Sequence, residues 1–178
     1  YRPEYTHLWA NKTYYSQIRV DQLPRKTSLD LIQAILAGGD VAPELNDLIV
    51  SRTAGNPLFL EELTQNLIEN GSIEKAGNRY VLCSIHSEIK IPDTIQGIIA
   101  DRLDRLEGNL KRIMQLASVI GREFAFRILQ SVAAMKEDLK SSMLTLQDLE
   151  FIYVKTLFTE LEYIFKHSLT QEVAYESL

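Results

Sequence analysis

Three histidines and one cysteine are the side chains best suited to metal binding or nucleophilic chemistry in this chain. His7, His86 and His167 are far apart in the sequence, and none lies in an HExxH segment, so a metal site is not predicted. Cys83 could act as a nucleophile with His86 as its base, but two residues at this spacing in a loop are more often unrelated.

Carboxylates also stand close together along two predicted helices, at Glu61-Glu62 and at Asp101/Asp104. They have the residue type for acid–base catalysis, but solvated helix faces carry such pairs routinely. No glycine is followed by lysine, so the phosphate-binding GxxxxGK[ST] loop is missing from this chain. We therefore predict no catalytic residue, and no enzymatic activity for this chain alone.

A Gly55-Asn56-Pro57 turn is the most distinctive local feature. Proline suits the first turn of a helix, where its missing N–H costs nothing and its fixed φ is already helical. Glycine allows the backbone to approach another group closely. The turn therefore predicts a sharply started helix, and its close neighbour could be either another helix or a ligand.

Composition excludes some classes of function. The net charge is −5, and neither half of the 178 residues has the basic surplus that binding to a nucleic-acid backbone normally requires. No apolar run approaches the roughly 20 residues needed to cross a bilayer, and there is no signal peptide. With one cysteine and no secretion signal, we expect a reducing, cytoplasmic setting and no membrane partner.

The first half of the chain is predicted to be mostly helical. A loop over Tyr1–Tyr15 and an edge strand over Ser16–Val20 precede a cluster of three helices, and a small hairpin follows. The predicted helices are Ser28–Ala37, Pro43–Thr53 and 57–71, and the hairpin covers 72–82 around Ala76-Gly77-Asn78. Residues 83–92 form an irregular bridge between two sub-domains.

The second half begins with a helix at Asp93, where Gln96 stands at capping-box spacing. Three further helices, a two-stranded hairpin and a last helix are predicted after it. Their expected positions are about 110–120, 126–133, 138–149, 151–156, 162–166 and 170–178. Helices followed by such a hairpin have the order of a winged helix, a variant of the helix-turn-helix.

Direct DNA binding is the main alternative for such a fold, because a winged helix often places its third helix in the major groove. The corresponding segment here, residues 136–150, carries more acids than lysines. A helix that faces phosphates should not be acidic. DNA is therefore an unlikely partner on charge grounds.

Several segments taken in order resemble one known family. They are RPEY (2–5), GNPLFLEEL (55–63), IPDTIQGIIADRLDRL (91–106), VIGREF (119–124) and IFKHSLTQEVAYESL (164–178). The chain is similar to the ATPase region of adenylate/guanylate cyclase-linked signalling proteins, in the STAND class of AAA-related switch ATPases. The resemblance implies that a Walker A and B domain lies upstream and helical repeats downstream.

The resemblance assigns roles to residues near the start and at the turn. Arg2 corresponds to the arginine that ends the sensor 1 strand and reads the terminal phosphate, although an exposed arginine at a frayed end would look the same. Pro57 corresponds to the proline of the lid's GxP motif, which packs against adenine and ribose, with Asn56 as its backbone neighbour. A simple first-turn proline is compatible with this role.

His167 corresponds to the histidine of the MHD motif in plant resistance proteins and apoptotic protease activators, distant members of the class. There the histidine contacts the diphosphate of ADP. This chain departs from the motif, because Lys166 replaces Met and Ser168 replaces Asp, which puts the capping role of the Asp in doubt. A half-buried histidine bonded to a carbonyl is the alternative.

We therefore expect a mainly α chain: a helical lid followed by a winged-helix domain with a short β-hairpin wing. The expected divisions are the tail of a nucleotide-binding core (1–21), the lid (22–71), a hairpin and linker (72–92) and the winged helix (93–178). The implied function is a regulatory module that closes over ATP or ADP, with Mg²⁺ held by the upstream domain. The alternatives are a DNA-binding regulator and a passive helical scaffold.

Overall fold

The computed structural model describes residues 20–83, 91–133, 139–156 and 160–178. Within these ranges the chain forms eight α-helices and two three-stranded sheets, which confirms a mainly helical fold. The predicted loop over Tyr1–Tyr15 and nearly all of the strand over Ser16–Val20 lie outside the described residues, and Val20 itself is not in a strand. The helices are α1 (Arg25–Ile35), α2 (Pro43–Thr53), α3 (Pro57–Glu69), α4 (Ile95–Asp104), α5 (Gly108–Ile120), α6 (Phe126–Ala133), α7 (Leu139–Asp148) and α8 (Ser168–Glu176). The strands are β1 (Asp40–Val41), β2 (Ile73–Ala76), β3 (Arg79–Leu82), β4 (Glu123–Ala125), β5 (Ile152–Thr156) and β6 (Glu162–Phe165).

The first three helices pack together as predicted. Helix α1 begins at Arg25, three residues before the predicted start at Ser28, because Pro24 takes the last extended position and accepts the first helical hydrogen bond. Helix α2 has its predicted bounds and ends at Ala54, which is left-handed with φ of 48°. Helix α3 ends before Gly71, whose φ of +71° suits the Asn-Gly termination that the sequence indicates.

The predicted small hairpin is present as β2 and β3, which pair antiparallel. Strand β1, which was not predicted, adds to it in parallel, so the sheet order is β1-β3-β2. Two residues are too few to show an alternating pattern in sequence. The sheet ties the α1–α2 connection to the segment that follows α3.

The second half of the chain contains helices α4 to α8 and a sheet of order β4-β6-β5. Strands β5 and β6 form the predicted hairpin, whose turn is partly outside the described residues. Strand β4 pairs antiparallel with β6 and was not predicted, because its three residues directly precede α6 and carry no period of their own. The sheet therefore has three strands where the sequence predicted two.

The start of α4 differs from the predicted one. Thr94 is the N-cap, and its hydroxyl accepts the N–H of Gly97 at 3.1 Å. Asp93, the predicted start, lies before the helix and pairs with Arg52 of α2 at 3.0 Å. Thr94 is the N-cap instead of Asp93 because its backbone is extended (φ −126°, ψ 151°). In that conformation its hydroxyl reaches the third N–H of the helix. The capping-box interpretation through Gln96 was therefore wrong.

Two hydrophobic cores form, and helix α4 contributes to both. Ile98 packs with the core of α1, α2 and α3, whereas Ile99 and Leu103 pack with the core of α5 to α8. Residues four apart lie on one face of a helix, so Ile98 and Arg102 form one stripe and Ile99 and Leu103 the next. Helix α4 is thus the element through which the two cores meet.

Candidate functional site

The Gly-Asn-Pro turn at the start of α3 has a buried glycine followed by two exposed residues. Asn56 is the N-cap, and its side-chain oxygen accepts the N–H of Phe59 at 3.1 Å. Pro57 occupies the first helical position, as predicted, and both residues are exposed. A side chain at Gly55 (φ +75°) would place its Cβ 2.4 Å from the carbonyl oxygen of Leu23. The close approach that glycine allows is therefore made to the chain segment before α1.

His167 directly precedes α8 and faces helix α3. Its Nε2 atom lies 3.3 Å from a carboxylate oxygen of Glu61 and 3.6 Å from one of Glu62. Neither contact has hydrogen-bond geometry, so this buried nitrogen has no hydrogen-bond partner in the described part of the chain. The predicted alternative, a histidine bonded to a carbonyl, is therefore not seen for Nε2.

Residues that are far apart in the sequence thus lie close to the same part of helix α3. Glu61 lies four residues after Pro57, so the two are on the same face of α3, one turn apart. His167 reaches that face from the β6–α8 connection. Asn56, Pro57 and His167 are brought to the first two turns of α3. Arg2, the fourth predicted residue, lies outside the described residues.

Sequence reasoning missed the most buried charge near this site, Arg102 of α4. Its Nη1 donates to Glu62 at 2.5 Å, and its Nε and Nη2 form a bidentate pair with Glu69 at 2.9 and 2.6 Å. Nη2 also donates to the carbonyl of Leu149 at 2.9 Å, and the guanidinium lies over the Phe151 ring. Only 2% of the Arg102 side chain is exposed.

Electrostatics keep this arginine charged in spite of its burial. Burial alone would lower the pKa of Arg102, but its hydrogen bonds to Glu69 and Glu62, with their negative charges, outweigh the desolvation and raise it. A second polar contact runs alongside, because Asn66 of α3 donates to Asp101 of α4 at 2.8 Å. Helices α3 and α4 are therefore joined by hydrogen-bonded charges as well as by apolar packing.

Lys166 forms the other cationic centre between α3 and the C-terminal elements. Its Nζ lies 2.7 Å from Glu61 and also pairs with Glu150, and only 8% of its side chain is exposed. Burial opposes the charge on Lys166, but hydrogen bonds to Glu150 and Glu61 raise its pKa above the ordinary value. Glu61 thus contacts the lysine and His167 together, through its two carboxylate oxygens.

Glu150 has an unusual backbone conformation at the end of α7. Its φ is +60°, a left-handed value that glycine normally adopts after a helix. The N–H of Phe151 bonds back to the carbonyl of Leu146 at 3.0 Å, the closing bond of a Schellman-type end. The Glu150 side chain, which glycine would lack, binds Lys166.

The sequence carried only a weak signal of these contacts. Arg102 falls in the apolar stripe of α4, four residues after Ile98, and a charge at such a position needs a partner. The partners, Glu62 and Glu69, are 40 and 33 residues away, and helical spacing does not identify them.

A cavity of about 500 Å³ opens beside this cluster. Its lining residues are Glu69, Arg102, Arg105, Leu106, Leu149 and Phe151. Both arginines are paired within the protein, Arg102 as above and Arg105 with Asp101 and Glu69. The cavity is therefore lined by apolar side chains and by charged side chains that are already paired within the protein.

The helix that corresponds to a DNA-reading helix is α7. Its exposed side includes Lys140 and Asp148, one charge of each sign, together with an exposed Leu144. A surface without a basic surplus is a poor match for a phosphate backbone. The charged side chains in the described part of α7 thus balance, and the absence of DNA as a partner stays a prediction.

Neither a metal-binding cluster nor a membrane-spanning helix is found in the ranges that the structure describes. Among the described residues, no three side chains of His, Cys, Asp or Glu converge to hold a metal ion. No helix in these ranges has the length and apolar character required to cross a bilayer.

Comparison with known proteins identifies one matching segment. A family model for a domain of unknown function (DUF8739) matches residues 24–79, from the residue before α1 to the first residue of β3. Comparison with curated proteins and with solved structures gave no significant match. The matched segment includes the three-helix cluster and the Gly-Asn-Pro turn.

Proposed function

We propose that this chain is the lid and winged-helix module of a cytoplasmic STAND-type signalling ATPase. In this role α1 to α3 form the lid, and α4 to α8 with the second sheet form the winged helix. The module closes over an adenine nucleotide that is bound mainly by an upstream P-loop domain, which also holds Mg²⁺. It converts the ATP or ADP state into domain movement, a bistable transition biased by contacts to phosphate.

The order of elements supports the winged-helix part of this proposal. Helix α5, strand β4, helices α6 and α7, and the hairpin β5–β6 follow one another along the chain. In the sheet, β6 lies between β4 and β5. A helix-turn-helix unit closed by such a small antiparallel sheet is the arrangement that the sequence resemblance implies. Fold alone does not assign function, so the proposal depends on the site.

The observation that carries the proposal is the contact of His167 with helix α3 one turn from Pro57. These two residues are 110 positions apart in sequence, yet His167 contacts Glu61, one turn from Pro57. Pro57 presents an exposed ring for packing against a base and sugar. Lys166 lies beside His167, where a cationic donor could approach phosphates, and the raised pKa of Lys166 keeps its charge through neutral pH.

Two carboxylates beside His167 must be taken into account in this proposal. Glu61 and Glu62 lie against His167, and a diphosphate there would be repelled by both. Nucleotide contact with His167 therefore requires both carboxylates to move away from it. Glu61 is one-third exposed, so water can replace His167 as its partner.

The test is nucleotide retention by the full-length protein that carries this chain. His167→Ala should accelerate ADP dissociation, measured by displacement of a fluorescent ADP analogue. Pro57→Ala should weaken ADP and ATP alike, because the proline packs on the base and sugar that both share. Lys155→Ala is the matched control, since this lysine pairs with Glu123 across the second sheet, away from α3.

The competing functions predict different results. In a passive scaffold, the His167 and Pro57 substitutions lower the melting temperature and leave nucleotide affinity unchanged. A DNA-binding module shows duplex affinity that falls steeply with salt. Hydrolysis of ATP by the isolated 178-residue chain at the rate of the full-length protein would overturn the proposal, because no P-loop sequence is present in this chain.

A further inference from the structure

Asn70 and Gly71, at the end of helix α3, form the only Asn-Gly pair in the sequence. Asparagine is a chemically labile residue, and a following glycine makes it most prone to lose its side-chain ammonia, because no side chain hinders the glycine nitrogen. Asn70 is also exposed to solvent. From this pair and its surroundings we propose that Asn70 is a site of spontaneous deamidation, and that the folded end of α3 protects it.

The reaction needs only the protein and water. The backbone nitrogen of Gly71 loses its proton to base and attacks Cγ of Asn70. The bond from Cγ to Nδ2 breaks, ammonia leaves with a proton taken from water, and a succinimide ring remains. Water then opens the ring at either carbonyl, which gives aspartate or isoaspartate at this position. The reaction has no oxidation or reduction step.

Three features of the fold oppose the attack. The side chain of Asn70 is held at both ends, because its Nδ2 donates to Oδ1 of Asn66 at 3.1 Å and its Oδ1 accepts the N–H of Ser72 at 2.9 Å. The N–H of Gly71 donates to the carbonyl of Ile68 at 3.1 Å. The ψ of Asn70 is 0°, which turns the Gly71 nitrogen away from Cβ, whereas ring closure requires the two atoms to be eclipsed. Attack therefore requires the last turn of α3 to unwind locally.

The hydrogen bonds of Asn70 continue into helix α4. Asn66 is 2% exposed, and its Nδ2 donates to a carboxylate oxygen of Asp101 at 2.8 Å. Asp101 in turn accepts a hydrogen bond from Arg105. Asn70 is therefore the outer member of a row of hydrogen bonds that runs through a buried amide from α3 to α4.

Deamidation would break this row at its outer member. A carboxylate at position 70 cannot donate to Asn66, so acceptor oxygens would face each other. It would also add a negative charge next to Glu69, at a helix end that is already negative through its free carbonyls. Isoaspartate would in addition lengthen the backbone by a methylene group. Because Glu69 binds Arg102, we expect the loss of stability to reach the contact between the two cores.

The test is incubation of the 178-residue chain at mildly alkaline pH, followed by mass spectrometry of its peptides. In strong denaturant, Asn70 should be converted before every other asparagine. In the folded protein its conversion should be at least about tenfold slower, because it requires local unwinding. Asn56 is the internal control, since the nitrogen of Pro57 carries no hydrogen and cannot be deprotonated for the attack. These rates do not depend on nucleotide binding.

Asn66→Ala removes the acceptor that holds the Asn70 amide. It should accelerate conversion in the folded protein by about threefold to tenfold, the effect of losing one hydrogen bond. Gln65→Ala changes the neighbouring position of α3, outside this row of hydrogen bonds, and should leave the rate unchanged. Asn70→Asp reproduces one product and should lower the melting temperature by about 2–4 °C.

Equal rates in the folded and the denatured protein would show that the end of α3 gives no protection. An unchanged rate in Asn66→Ala would show that the hydrogen bond to Asn66 is not its source. If that variant does not fold, the rates of the unsubstituted protein with and without denaturant still decide the question. No conversion of Asn70 in denaturant would show that it is not a deamidation site.

Discussion

The guanidinium carbon of Arg102 lies 4.6 Å from the centre of the Phe151 ring. Phe151 is buried directly before β5, while the nitrogens of Arg102 bind carboxylates of α3. One side chain of α4 therefore contacts a residue of the second core and two residues of the first cluster. A desolvated cation over an aromatic face contributes up to about 2 kcal/mol, so the two cores are joined energetically as well as by packing.

Replacement of Arg102 should destabilise the whole chain. Arg102→Met has a similar length but leaves the buried Glu62 without its arginine and Glu69 with only Arg105 as its cationic partner. Breaking a buried ion pair in this way costs about 3–5 kcal/mol. The free energy of unfolding from urea titration measures the loss. The double variant Arg102→Met/Glu62→Gln should recover part of it, because the most buried negative charge is removed as well.

An exposed ion pair provides the control for Arg102. Arg25 and Asp47 pair across α1 and α2 with about 60% of each side chain exposed, so Arg25→Met should change the unfolding free energy by less than about 1 kcal/mol. A loss at Arg102 as small as the loss at Arg25 would contradict the view that the cluster joins the cores.

Glycine at position 150 should be tolerated better than alanine. Glu150 has φ of +60°, and an L residue in that conformation costs about 1 kcal/mol relative to glycine. Glu150→Gly removes this strain but loses the contact with Lys166, so stability should be close to that of glutamate. Glu150→Ala keeps the strain and loses the contact, so it should be about 1 kcal/mol less stable than the glycine variant.

Ala54 offers a matched comparison for Glu150. It ends α2 with φ of 48° and has no charged side chain to lose. Ala54→Gly should therefore stabilise the chain by up to about 1 kcal/mol, measured by the same urea titration. If Glu150→Gly stabilises as much as Ala54→Gly, the Glu150–Lys166 contact contributes nothing to folding.

Local signals were sufficient for most helices. Proline at position 43 and the glycine after Ala54 bracket α2, and its predicted bounds were correct. The start of α3 at Pro57 and the hairpin around Gly77 were predicted for similar reasons. In each case the conformation is decided by residues within one or two turns, which the sequence presents side by side.

Contacts between residues far apart in the sequence could not be predicted from local signals. Strands β1 and β4 exist because they pair with β3 and β6, and their two or three residues show no period. At the site, the position of Pro57 as the first residue of α3 follows from the sequence, whereas the N-cap role of Asn56 was not predicted. The pairing of Glu61 with Lys166 and His167 depends on how two cores meet, and no spacing rule reports that geometry.

A side chain at position 55 should disrupt the start of α3. Gly55→Ala would place a Cβ 2.4 Å from the carbonyl oxygen of Leu23, whose N–H bonds to the Gly55 carbonyl at 2.8 Å. The φ of +75° adds its own penalty. We expect a loss of more than about 2 kcal/mol, the sum of left-handed strain and forced backbone movement.

A comparison with Gly77 separates the cost of the left-handed backbone at Gly55 from the cost of the clash with Leu23. Its φ of +66° is similar, but a Cβ there meets nothing within 4 Å. Gly77→Ala should therefore cost only about 1 kcal/mol, the conformational part alone. Equal losses at the two glycines, measured by thermal unfolding, would mean that the approach to Leu23 relaxes without cost.

The contribution of Lys166 to stability should change with pH only in the alkaline range. Its folded-state pKa is raised because hydrogen bonds to Glu150 and Glu61 outweigh the effect of burial. A raised pKa means that the contribution is fully present below the unfolded value of about 10.4 and is lost as pH rises through the folded value. The stability difference between the unsubstituted chain and Lys166→Met should therefore be constant from neutral pH to about 10 and then shrink.

The comparison between variants isolates this lysine from other groups that titrate in the same range. Burial raises the pKa of Tyr163, and its ionisation lowers stability at alkaline pH in both chains, so it cancels in the difference. Lys155→Met is the control, because Glu123 raises the pKa of this exposed lysine too, but solvent screens the pair. Urea titrations at several pH values give the two curves. A difference for Lys166→Met that already declines between pH 6 and 9 would contradict the ion pairs with Glu61 and Glu150 as the source of its stability.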